Sequence, residues 1–169
     1  MRTILLGALA LLFTVTTQAQ GKVGTIDSDY IVTVMPEFVT MQKDLKAYNA
    51  DLEGQMQEKV KIYQERVKDF QANGATLPAA TAQLKKDQII AAEQDIAKFR
   101  QNGSQLLELK RNELMRPLYE RIGKALDEVA KAEGYTQVMN SNGGVVYSDP
   151  AYDITVAVML KLGIEKAGN

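Results

Sequence analysis

Residues 36–70 read PEFVTMQKDLKAYNADLEGQMQEKVKIYQERVKDF, and the spacing of their apolar side chains decides the fold. Those side chains recur at Phe38, Met41, Leu45, Tyr48 and Leu52, then at Met56, Val60, Tyr63, Val67 and Phe70. Steps of three and four residues keep them on one side of an α-helix, with Lys, Glu, Gln and Asp around the rest. The seven-residue register slips once between Leu52 and Val60, as a four-residue stutter would, and a stutter loosens a left-handed supercoil locally. Pro36 suits a first helical position, and Glu37 complements the positive end of the helix dipole. The stretch reads as one long helix with one narrow seam.

Asn73-Gly74 and Leu77-Pro78 break this pattern and mark a turn. Helical spacing resumes near Ala79 and runs to Glu133, with Ile96, Phe99, Leu106, Leu107, Leu114, Leu118, Ile122, Ala125, Val129 and Ala132 on the seam. Gly134 is placed to end it. Asn102-Gly103 interrupts this helix, and Pro117 is expected to kink it. Folding about residue 75 sets Glu37 level with Glu113, and each arm of the hairpin would project about 50 Å. The segment from Leu118 to Ala132 then extends past the hairpin and should pack on whatever the strands build.

Short elements flank the hairpin. Lys22 to Ile26 leans toward a strand, and Asp27 or Ser28 can cap a short helix through Tyr30, Ile31 and Val34. Tyr135 to Asn140 reads as a strand. Ser141-Asn142-Gly143 reads as a tight turn, and Gly144 to Ser148 as its antiparallel partner, because Asn-Gly is a strong hairpin signal. Asp149-Pro150 breaks that strand, Asp153 is placed to cap a last helix from Ile154 to Leu162, and Gly163 to end it. Asp149 and Asp153 accordingly read as turn and cap residues, not as an acid–base pair.

Arg2, the apolar run from Ile4 to Phe13 and the small residues before Gln20 describe a secretory leader, residues 1–19, with cleavage after Ala19. The apolar run falls short of the roughly 20 residues a membrane span needs. The mature chain would therefore be exported. The full chain has 169 residues, 46% hydrophobic and 24% charged, with 20 basic against 21 acidic side chains. That size favours one domain, and the near-neutral balance creates no field to attract nucleic acid. Cys and His are both absent from the sequence. Disulfides, thiolate chemistry, Cys/His zinc sites and imidazole catalysis are thereby excluded. No cofactor or metal is expected, and no catalytic set is read.

Three short strands and two small helices bury little apolar area, and strand edges stay open in one copy. Val23, Ile26, Val138, Val145, Val146 and Tyr147 nevertheless want a dry environment. Several copies joining their small sheets into a shared body, with the arms projecting, is the economical solution.

The ends of the mature chain carry a recognisable pattern. It runs through Leu114-Met115-Arg116-Pro117-Leu118, Ile122, Ala125, Val129-Ala130, Gly134-Tyr135 and Val138. It continues in Val145-Val146-Tyr147-Ser148-Asp149-Pro150, Tyr152-Asp153-Ile154-Thr155, Val158 and Leu162, with Lys22 to Asp27 at the start. This resembles the OmpH/Skp family of periplasmic chaperones over essentially the whole mature chain, specifically at the two ends and compositionally in the arms. The resemblance implies an α+β, mostly α fold: a long antiparallel coiled-coil hairpin projecting from a small β body completed by trimerisation, like a jellyfish. Residues 20–35 and 114–169 would form the body, and residues 36–113 the arm, with its tip near 72–79.

The implied function is ATP-independent holding of unfolded outer-membrane β-barrel proteins in a cavity between the arms of a homotrimer, in the periplasm. The arms, residues 36–133, carry 16 basic and 16 acidic side chains. The best-known members are strongly basic, so contact with membrane or lipopolysaccharide is weakened here, and no such site is carried over.

A holdase needs weak, adaptable apolar contacts at many points. Met41, Tyr48, Met56, Tyr63, Phe70 and Phe99 are the candidate client-binding residues; the competing reading is that each packs arm against arm. Val23, Ile26, Val138, Val145, Val146 and Tyr147 are the candidate trimer body. Gly103 is the candidate hinge, since a mid-helix glycine costs up to about 1 kcal/mol relative to Ala. Gly74 reads as turn chemistry. Two other classes stay open: a structural or adaptor coiled coil of the cell envelope, and a hydrolase using carboxylates alone, which no convergent motif supports.

Overall fold

The computed structural model describes residues 21–165, so the expected leader lies outside the described residues. Strand β1 (Lys22–Ile26) leads into helix α1 (Ser28–Val34), and α2 (Pro36–Asn73) and α3 (Ala79–Glu133) form the long hairpin. Strand β2 (Tyr135–Asn140) and the short helix α4 (Thr155–Lys161) follow. The architecture is mostly helical: a long hairpin on a small two-stranded sheet.

Each boundary has a local cause. The Asp27 carboxylate accepts from the Tyr30 backbone N–H at 2.8 Å and caps α1. Pro36 opens α2, where its missing N–H costs nothing. Gly74–Thr76 add a 3-10 turn to the end of α2, and extended backbone at Leu77 and Pro78 reverses the chain. Gly134 ends α3 in the left-handed region at φ 73°, its N–H bonded to the Ala130 and Lys131 carbonyls. The Asp153 carboxylate accepts from the Thr155 N–H at 2.8 Å at the start of α4, which begins one residue later than expected.

The arms meet along the expected seam. Met41 and Leu52 are buried on α2, and Phe38, Leu45, Tyr48, Met56, Val60, Tyr63, Val67 and Phe70 are half-buried. On α3 the seam holds except at Ala132, which is exposed. Cross-arm bonds fix the level of one arm against the other: Lys59 to Asp95 at 2.6 Å, Arg66 to the Gln88 carbonyl at 3.0 Å, Lys85 to Asp69, and Arg121 to Glu37. Glu37 thus pairs with Arg121 rather than lying level with Glu113, because the reversal falls at Leu77-Pro78 instead of at residue 75. Pro117 lies on an exposed face, and α3 continues through it as one helix.

The sheet corrects the hairpin expected at Asn142-Gly143. β1 and β2 pair in parallel, with Val23 opposite Gln137 and Ile26 opposite Asn140. Parallel neighbours need a long crossover, which the helical hairpin supplies. Gly144–Ser148 forms no strand in this chain. Gly144 takes φ 92° and the Ser141 N–H bonds the Ile26 carbonyl at 2.8 Å, so the chain leaves β2 instead of folding back along it. It crosses to the other edge of β1. There the Ile154 N–H bonds the Thr25 carbonyl at 2.9 Å and Thr25 Oγ1 meets Ser148 Oγ at 3.0 Å.

One apolar cluster sits under this sheet. Ile26, Ile31, Val32 and Met35 from the N-terminal segment pack with Leu118, Ile122, Ala125 and Val129 of α3 and with Ile154, Val158 and Met159. The base of α3 therefore packs on the strands and short helices, as its extension past the hairpin required.

Candidate functional site

Two surfaces stand out: the flanks of the arms and the open side of the sheet. On the arms, the six candidate residues all lie on or beside the seam. Met41 is 6% exposed, and Tyr48, Met56, Tyr63, Phe70 and Phe99 are half-buried. Lysines lie over several of these rings: Lys59 over Phe99 at 5.2 Å, Lys86 over Phe70 at 5.8 Å and Lys110 over Tyr48 at 5.9 Å. Met41 is thus taken up by inter-arm packing, and the other five keep part of their surface exposed beside the seam.

Seam periodicity did not reveal the large apolar side chains that stay exposed off the stripe. Val39, Ile62, Leu84, Ile90 and Leu109 are exposed, Leu109 by 65%. Their only signal in the sequence is negative: they stand off the stripe. Ile62 lies in a shallow groove of about 290 Å³ between the arms, with Lys59, Arg66, Ala91, Ala92 and Asp95. A second groove of about 290 Å³ joins Leu45 and Leu107 to Ser104, Glu108 and Arg111.

Toward the tip, Asp69 accepts from Lys85 and Asn73, which hold its carboxyl below the ordinary 3.8. The pair with Lys85 is solvent-exposed, so it sets the level of the two arms near the tip rather than adding much stability.

Gly103 sits on the seam side of α3, half-buried, yet a Cβ added there would meet nothing within 4 Å. Packing does not demand glycine at this position. At Gly74 an added Cβ would stand 3.1 Å from the Phe70 ring, so close packing, not a left-handed backbone, accounts for it.

The six candidate body residues divide. Ile26 is buried in this chain's own core and Val138 packs partly against it. Val145 is half-buried, whereas Val23 is exposed, Val146 fully so and Tyr147 by 84%. Val146 and Tyr147 are thus consecutive exposed apolar side chains in the irregular segment after β2, beside the outer edge of β1, and form an unpartnered apolar surface. On α3, Tyr119 donates to Asp29 at 2.9 Å; burial first, and then that bond, raises the pKa of its phenol.

Among the described residues no cluster of acidic side chains is arranged to hold a metal ion, and no helix is long and apolar enough to cross a membrane.

Comparison with known proteins adds three findings. The family described as outer membrane protein (OmpH-like) matches residues 22–162. The chaperone protein Skp of Photorhabdus laumondii is 25% identical over 151 residues, spanning 89% of this chain and 91% of that protein. The crystal structure of a Caulobacter crescentus protein described as an OmpH-like outer membrane chaperone aligns with TM-score 0.65 and 16% identity. That alignment covers 89% of this chain and 90% of the other, a likeness of fold.

Proposed function

The chain belongs to the OmpH-like outer membrane protein family, and from that membership we propose that it is an ATP-independent holdase of the periplasm. Its clients would be unfolded outer-membrane β-barrel proteins, sheltered between the arms of a homotrimer. The observation that carries this reading is the exposed apolar pair Val146–Tyr147, in the irregular segment beside β1, which has no cover in a single copy. Sister copies pairing there would gather three hairpins around one space. The chaperone descriptions of the relatives support the role.

Within that space the exposed Ile62, Leu84 and Leu109 would meet clients first, with the half-buried Tyr48, Met56, Tyr63, Phe70 and Phe99 contributing from beside the seam. Met41 would join only when the seam opens. Each contact is weak, and the shared cavity multiplies them through effective concentration. Unfolded barrel strands aggregate because alternating apolar side chains and bare backbone find one another, and scattered apolar contacts delay this without templating a fold.

The test dilutes a denatured outer-membrane protein into buffer with the mature chain, without nucleotide, and follows light scattering. Suppression is expected. The triple change Ile62→Ser, Leu84→Ser and Leu109→Ser should weaken it while leaving helicity intact. Unchanged scattering together with saturable binding to one folded envelope protein would point to the adaptor reading instead.

A further inference from the structure

The sequence holds three Asn-Gly pairs, at 73–74, 102–103 and 142–143, and the fold treats them differently. The Gly74 N–H is bonded to the Phe70 carbonyl at the end of α2, and Gly103 is interior to α3. Gly143 lies in the turn after β2, its N–H held by a single turn bond to the Asn140 carbonyl at 2.9 Å.

The Asn142 side chain also joins two parts of the body. Its Nδ2 donates to Asp27 Oδ1 at 3.1 Å and to Asp29 Oδ2 at 3.2 Å. Those carboxylates hold the start of α1 through the Tyr30 N–H and reach Tyr119 on α3. Asn140 adds a bond to Ser28 at 2.9 Å. The Asn142 amide thus clamps the turn to the start of α1, beside the Asn140 bond to Ser28 and the Ser141 bond to Ile26, directly before the exposed segment at Val145–Tyr147.

We propose that Asn142 is a spontaneous deamidation site whose conversion opens this clamp. The backbone nitrogen of Gly143, having lost its proton to solvent, attacks Cγ of Asn142. A C–N bond forms, the bond from Cγ to Nδ2 breaks, and ammonia leaves as a five-membered imide closes. Water then opens the ring at either carbonyl, giving aspartate or isoaspartate. Glycine leaves the approach unshielded, and only the Gly143 turn bond and the exposed bonds of the Asn142 amide must open first, whereas Asn102-Gly103 must break the interior of α3 and Asn73-Gly74 the end of α2. The product carries a carboxylate where an amide donated, so three anions meet with no donor between them. The Asn142 tie to α1 is lost, leaving only the Asn140 and Ser141 bonds on the turn, and the segment proposed for subunit pairing is held less firmly; this last consequence rests on the trimer reading.

The mature chain is incubated at mildly alkaline pH, digested, and its peptides weighed. Asn142 should convert more than about tenfold faster than Asn73 or Asn102, the difference reflecting the opening of local structure. Equal or faster conversion at either helical pair overturns the site. Asn142→Asp should reproduce the aged chain, with helicity retained and assembly weakened, while Asn142→Gln should resist conversion. Normal assembly of Asn142→Asp overturns the clamp. Should the fresh chain already be a single copy, the trimer reading fails by itself and the peptide masses still judge the site.

Discussion

Gly24 is buried in β1, where an added Cβ would stand 2.7 Å from the Tyr135 ring. That ring also carries Lys22 3.8 Å above its centre, and Lys22 donates to the last carbonyl of α3, on Glu133, at 3.0 Å. Gly24→Ala should therefore push the ring away and cost about 1–3 kcal/mol, as overpacking does, measured as a lower denaturation midpoint. Asp69 supplies a second residue-scale expectation. Lys85 and then Asn73 lower its folded pKa below 3.8, so its contribution is complete above that value and is lost as pH falls through the lowered one. Carboxyl titration by NMR should show Asp69 deprotonating below the ordinary value, and Lys85→Met should bring it back up. Much at this scale was legible in the sequence: Asp27 and Gly134 cap their helices, Pro36 opens α2, and Asp153 accepts from the Thr155 N–H just ahead of α4, whose N-cap is Ile154. The Tyr135 contact on Gly24 was not, because it joins residues far apart in the chain.

At the scale of elements, α2 and α3 follow the stripe that spacing alone picks out, and α3 runs unbroken through both Gly103 and Pro117. Gly103→Ala adds a methyl into open space and removes glycine's helix penalty, so it should stabilise the arm by up to about 1 kcal/mol. If Gly103 lets the arms splay, the same change narrows the size range of clients held, read by comparing small and large ones; an unchanged range argues for a rigid arm. The strand after Asn142-Gly143 is where local reading failed. A turn signal states that the chain can reverse there, but the Ser141 bond to Ile26 and the turn at Gly144 send it across β1 instead.

For the whole molecule, the core under the sheet gathers residues from three separated stretches, and the arms add only a narrow seam. Val146 is fully exposed, so Val146→Asp should leave the chain's own fold within about 0.5 kcal/mol, as surface changes do. If the exposed surface at Val146–Tyr147 joins sister copies, the same variant should fall from three copies to one by mass measurement in solution. A wild-type chain that is already single and well folded would remove the shared cavity, and the holding role with it.

The sequence by itself determined the hairpin, its seam, its caps and the placement of both observed strands. These depend on backbone geometry and side-chain period within a few residues, and such local terms are written in order along the chain. Only the tertiary structure decided that β1 and β2 lie parallel, that Glu37 pairs with Arg121, and that Ile26 is buried while Val146 is not. Those outcomes depend on which distant surfaces meet, and many pairings of the same apolar residues satisfy the local rules equally well.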